Sequence, residues 1–144
     1  MECIGLASDH AGYLLKRIIK EHLESKGYLV KDFGCDSESS CDYPDFAHPM
    51  GIALDKKEIR RGIVFCGSGN GISMAINKHQ SVRCAICWNS NVTLLARNHN
   101  DANVCSLPAR FITEKDAIEV VDLFLNSPFD GGRHLVRVQK ISFV

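Results

Sequence analysis

The sequence predicts an α/β fold, a Rossmann-like doubly wound sandwich in which a five-stranded parallel sheet is flanked by helices. Short apolar runs alternate with helical apolar stripes along the whole chain, the pattern of strands joined by helical crossovers. Polar or glycine-bearing turns separate the runs from the stripes, which marks the element ends. The length, 144 residues, suits a single domain, residues 1–144, able to bury about 70% of its unfolded surface.

The elements follow in order. Residues 3–7 form an apolar run suited to a buried strand. Leu14, Leu15, Ile18, Ile19 and Leu23 then recur at helical spacing, with Lys16, Arg17, Lys20, Glu21 and Glu24 between them, so one face is buried and the other solvated. Gly27 ends that helix, and residues 28–30 begin the second strand. A polar loop through Pro44 precedes a helix over 46–57. Strand three spans 63–66, a helix 72–78, strand four 82–88 and a helix 91–98. A short fifth strand at 103–106, a helix over 113–125 and a last helix opened by Gly131-Gly132 complete the chain.

Seventeen basic residues balance seventeen acidic ones, which gives no reason to expect nucleic acid or an anionic membrane surface as partner. A small anionic substrate stays open, because local clusters decide that. No apolar stretch approaches the roughly 20 residues of a membrane span. The start of the chain, Met1-Glu2-Cys3-Ile4, has neither a basic n-region nor a small-residue cleavage site, so a cytoplasmic location is expected. Seven cysteines, mostly inside apolar runs, suit reduced thiols better than a disulfide framework.

The most informative stretch is Gly62-Ile63-Val64-Phe65-Cys66-Gly67-Ser68-Gly69-Asn70-Gly71-Ile72-Ser73-Met74. An apolar run ends in Cys66 and breaks into a glycine-rich turn, and a helical segment follows. Cysteines beside helix N-termini form thiolates more readily, and the same backbone N–H groups hold a phosphate or an oxyanion. A base and an anion hole would then be adjacent, which suits carbonyl or enolate chemistry. The plain alternatives are a packed core cysteine and a tight turn needing positive φ, although three alternate glycines exceed what one turn requires. The loop lacks the Gly-Lys-Ser/Thr of a nucleotide P-loop, and it follows the third strand rather than the first. A Cys-x5-Arg phosphatase loop would need arginine where Ile72 stands.

Other candidates lie elsewhere. If strands one and three are neighbours, Asp9-His10 and residues 66–71 converge on the crevice beyond the strands' carboxyl ends. The loops holding Tyr43, Trp88-Asn89 and residues 108–110 leave the same edge. His99 falls near a helix end, either a satisfied core histidine or a rim acid near neutral pH. Arg133 and Arg137 share a helix face; they are either solvated or, with Arg110, a phosphate clamp. Cys84 and Cys87 sit inside a strand run, where their side chains point to opposite faces, which disfavours a metal or redox role.

Taken together, several motifs resemble the ribose-5-phosphate isomerase B family, which also contains galactose-6-phosphate and allose-6-phosphate isomerases. They are Ser8-Asp9-His10-Ala11-Gly12, Asp42-Tyr43-Pro44, residues 66–73, residues 97–103 and Gly131-Gly132-Arg133-His134. The resemblance runs in order from residue 2 to about 141. It implies interconversion of ribose 5-phosphate and ribulose 5-phosphate through an enediolate, without metal or other cofactor, in the non-oxidative pentose phosphate pathway. It also implies roles: Cys66 as the base, with Gly67, Ser68, Gly69, Asn70 and Gly71 holding the oxyanion. His99, assisted by Asp9, would open the furanose ring. His10, Arg133 and Arg137 would grip the phosphate, Asn100 and Arg110 complete that pocket, and Tyr43 line the sugar side. Family members are dimers or tetramers with shared sites, so segment 99–110 is expected in a neighbour's pocket. A six-carbon aldose 6-phosphate as substrate and a non-catalytic sugar-phosphate-binding module are the rival readings.

Overall fold

Apolar strand residues are buried on both faces of a central sheet, which is why the strands read as unbroken apolar runs. In the computed structural model, which describes residues 1–142, the elements run β1 (Cys3–Ser8), α1 (Tyr13–Ser25), β2 (Leu29–Asp32), α2 (Pro44–Asp55), β3 (Arg61–Cys66), α3 (Asn70–Ile76), β4 (Cys84–Ile86), α4 (Ser90–Asn98), β5 (Val104–Pro108), α5 (Glu114–Asn126) and α6 (Arg133–Gln139). The sheet has the order β2-β1-β3-β5-β4, and every neighbouring pair is parallel. The predicted five-stranded, doubly wound sandwich is therefore present.

Side chains alternate across this sheet. Ile4, Leu6, Ile63 and Phe65 point into a core with Leu15, Ile19 and Leu23 of α1 and Val120, Val121 and Phe124 of α5. Ala7, Val64 and Cys66 point the other way, into a core with Ala47 and Met50 of α2 and Ile72 and Ile76 of α3. The helix after β1 thus covers one face and the helix after β3 the other. The carboxyl ends of those two adjacent strands therefore form the switch point, where open α/β sheets bind their ligands. Gly12 lets the loop after β1 lie against β3: a Cβ there would stand 2.5 Å from Phe65 Cβ and 2.7 Å from its carbonyl oxygen.

Boundaries differ from expectation for local reasons. β2 begins one residue later and runs to Asp32 because its backbone keeps pace with β1, from Cys3↔Leu29 to Leu6↔Asp32. α2 starts at Pro44, whose fixed φ and missing N–H suit a first helical position. β4 is only three residues long, since an edge strand pairs on one side and its flank at Arg83 is tied to the Asn103 side chain instead. No helix of the described residues is long and apolar enough to cross a membrane.

Candidate active site

Ser8 pairs with Phe65 across β1 and β3, and the Asp9 N–H reaches the Phe65 carbonyl at 3.3 Å. The register brings Asp9-His10 beside Cys66, as the sequence implied. Asp9 is 7% exposed, and its Oδ1 accepts the N–H groups of Ala11 and Gly12 at 3.0 and 3.2 Å. The Cys41 N–H donates to His10 Nδ1 at 3.2 Å, so the proton of a neutral ring sits on Nε2, where it can be donated to a ligand. Burial pushes the neighbouring Cys41 thiol up, with Cys35 adding to the rise.

Cys66 closes β3, 4% exposed, and its Sγ accepts the Gly69 N–H at 3.2 Å. Each of the three glycines beyond it answers to a separate constraint. Gly69 has φ +77°, in the left-handed region open to glycine at little cost. A Cβ at Gly71 would lie 2.6 Å from Tyr43 Cζ, and one at Gly67 would lie 3.1 Å from Arg110 Nη1. The tyrosine ring and the guanidinium therefore pack directly on the loop backbone. Ser68 Oγ accepts the Asn70 N–H at 3.2 Å, and Ser106 Oγ, fully buried, donates to the Gly69 carbonyl at 2.7 Å. This edge brings together a thiol, the backbone N–H groups of a glycine turn, a histidine N–H and an arginine. Such a set suits proton transfer at carbon beside a developing oxyanion.

The structure splits the predicted site residues into two groups. Asp9, His10, Tyr43, Cys66, Gly67, Ser68, Gly69, Asn70, Gly71 and Arg110 share the carboxyl edge of the sheet. Arg110 belongs to its own chain's crevice, because its N–H donates to the Gly67 carbonyl at 3.0 Å and its side chain covers Gly67. That corrects the expectation that all of 99–110 reaches a neighbour: Pro108 pairs with Cys66, which brings the chain back to the same edge by residue 108. His99 and Asn100 lie at the other edge. α4 runs antiparallel to the strands, so its end returns to where the strands begin, and Asn103 there accepts the Gly62 N–H at 3.1 Å. The four steps from Val104 to Pro108 alone separate the two edges by about 13 Å.

His99, half-buried, is not enclosed in the core; its ring stacks on His134 with centroids 4.1 Å apart and planes 12° apart. Partial loss of solvent and then the nearby His99, Arg133 and Arg137 hold the His134 imidazole below its usual range, so Arg133 and Arg137 of α6 belong to this second group. No α6 side chain is buried. Cys84 and Cys87 do point to opposite faces, one against each core, and burial pushes the Cys84 thiol well up. Among the described residues no group of three or more His, Cys, Asp or Glu is gathered as a metal would require.

Three contributors carry little or no signal in the sequence. Ser106 was visible only as a hydroxyl in an apolar strand, and His134 only as a neighbour of Arg133. The backbone donor Cys41 carried no signal at all.

A thiol and a glycine-rich turn at the switch point of a parallel sheet define a class of α/β protein with its candidate site beyond the strands' carboxyl ends. Residues 4–141 match the ribose/galactose isomerase family, and the chain belongs to that family. A ribose-5-phosphate isomerase B from Clostridium thermocellum is 47% identical, with a TM-score of 0.95 over 96% of this chain and 94% of that one. The Mycoplasma genitalium ribose-5-phosphate isomerase B, solved with bound ribulose 5-phosphate, is 42% identical with a TM-score of 0.92, covering 96% of this chain and 93% of that one. The Escherichia coli ribose-5-phosphate isomerase B is 37% identical over all of this chain and 97% of its own.

Proposed function

We propose that this protein interconverts ribose 5-phosphate and ribulose 5-phosphate, with Cys66 as the base and without a metal or other cofactor. The observation that carries the reading is Cys66 Sγ facing the Gly69 N–H at 3.2 Å in the crevice shared with Asp9 and His10. The chain's membership of its family, and its likeness to a relative that binds ribulose 5-phosphate, support the substrate.

The reaction has two stages. In ring opening the C1–O4 bond breaks, His99 delivers a proton to the ring oxygen, and Asp9 takes the proton of the anomeric hydroxyl. The Cys66 thiolate then takes the proton from C2 of the aldehyde, and the C2–H electron pair becomes the C1–C2 double bond of an enediolate. Negative charge on O1 is met by the N–H groups of residues 67–71, with Ser68 beside them; one such donor is worth ~10²–10³ in rate. Cys66 returns the proton to C1, and the O2 proton passes to O1, leaving the ketose. His10, donating through Nε2, holds the phosphate with Arg133, Arg137, Asn100 and Arg110, and Tyr43 walls the sugar.

The separation of about 13 Å or more along the strands favours a site shared between two copies of this chain. One copy supplies Cys66, Asp9, His10 and Arg110, and the other supplies His99, Asn100, Arg133 and Arg137. The working protein is then a homodimer or a homotetramer built from such pairs, each chain one domain over residues 1–144, acting in the cytoplasm in the pentose phosphate pathway.

The test is ketose formation by purified protein with EDTA present, with ribose 5-phosphate and allose 6-phosphate in parallel. Faster turnover of ribose 5-phosphate is expected. Preference for the hexose would change the substrate, and no ketose from either would leave a binding module.

A further inference from the structure

Arg97 belongs to neither group, yet it bonds the turn after His99 and Asn100 and the segment that leads from α5 to α6. The side chain leaves the last turn of α4, two residues before His99, and is 11% exposed. Its Nη1 donates to Asp101 Oδ1 at 2.9 Å and to the Ala102 carbonyl at 2.7 Å. Its Nε donates to the Ser127 carbonyl at 3.1 Å, and the guanidinium lies 5.8 Å from the centroid of the Phe124 ring. The first two bonds fix the turn that follows His99 and Asn100. The third fixes the loop leading to Arg133 and His134, which is tied to α4 again where the Asp130 N–H meets the Asn98 carbonyl at 3.0 Å.

The turn needs fixing. Asp101 has φ +47°, a left-handed conformation that non-glycine residues adopt at a cost. Arg83 grips the same residue from the other side, with Nε on the Asp101 carbonyl at 2.9 Å. The chain between Arg97 and Asp101 therefore closes a small ring across one guanidinium, and His99 and Asn100 are the residues displayed on it.

We infer that Arg97 is the positioning residue for this half of the site: its fork aligns His99 with His134 and sets both against Arg133. Lysine could not replace it, since an ammonium lacks the planar fork that reaches the turn and the Ser127 carbonyl together. The inference rests on the reading of His99 as the ring-opening acid, so its test uses one readout that is independent of activity.

In Arg97→Lys, the ring-current shifts of the His99 and His134 imidazole protons are expected to collapse towards those of free imidazoles. The rate on ribose 5-phosphate, relative to 4-deoxyribose 5-phosphate, which cannot close a furanose ring, should fall at least about tenfold, since a misplacement near 1 Å costs up to ~10². A core variant destabilised to a similar degree, Leu23→Val, should move neither readout. Persistence of the stacked imidazole shifts in Arg97→Lys would overturn the inference. Collapsed shifts with an unchanged rate ratio, in Arg97→Lys and His99→Ala alike, would uphold the positioning and overturn ring opening by His99.

Discussion

Replacing Ser106 with alanine removes one hydroxyl from a fully buried position without enlarging or charging anything. The lost bond is the 2.7 Å donation to the Gly69 carbonyl, and Gly69 is the residue whose N–H faces Cys66 Sγ. A neutral hydrogen bond is worth about 0.5–1.5 kcal/mol net. Unfolding entropy near 2.1 cal/mol/K per residue, taken over 144 residues, converts that to a fall in Tm of roughly 2–5 °C. The kinetic effect should exceed the thermal one, because the loop carries the N–H groups proposed to meet the oxyanion. We expect kcat on ribose 5-phosphate to fall at least about tenfold, short of the ~10²–10³ of losing a donor outright, with KM little changed because the phosphate ligands are untouched. Thermal melts and initial rates on Ser106→Ala provide the assay. Wild-type kcat in this variant would refute the argument that Ser106 holds the glycine turn in its working shape.

Two further outcomes are expected. Co-expressed Cys66→Ala and His99→Ala chains should each be nearly inactive alone, yet a purified mixed dimer holds one intact site and should recover about half the wild-type rate per dimer; a mixed dimer as inactive as its parents would place the whole site in one chain. The Glu2 carboxyl is held below its usual range by the Arg61 hydrogen bonds, burial opposing, and by the positive charges of Arg61, Arg60 and the N-terminus. A depressed carboxylate stabilises the fold above its ordinary range and loses that contribution as pH falls through its folded value. The Tm of Glu2→Gln should therefore lie below wild type at pH 7, with the gap closing below about pH 4.5; a gap independent of pH would contradict the pairing.

How much of this was legible in the sequence depends on the range of each determinant. Strand and helix order followed from local apolar spacing, and the Cys66 turn from three glycines within five positions. The burial of Cys66 and its exit from β3 needed no long-range knowledge. The placement of His99 was not local. Its distance from Cys66 depends on α4 running back to the strands' starting edge, a consequence of chain direction that no spacing within residues 91–99 reveals. Arg110 failed as a neighbour's residue for the same reason, since only the β3–β5 register returns residue 108 to Cys66. Ser106, Cys41 and Arg97 act through single hydrogen bonds to backbone or across a turn, and in the sequence each looks like ordinary packing.

Cys66 is proposed to carry the proton between the two sugar carbons. The most direct measurement is isomerisation of ribose 5-phosphate in D2O by wild type and Cys66→Ala, following both ketose formation and deuterium entering C1 of ribulose 5-phosphate. Turnover with deuterium incorporation is expected for wild type, and a loss of at least ~10²-fold in both for the variant, the low end for a positioned base. Near-normal turnover and incorporation by Cys66→Ala would contradict it and move the base to another residue.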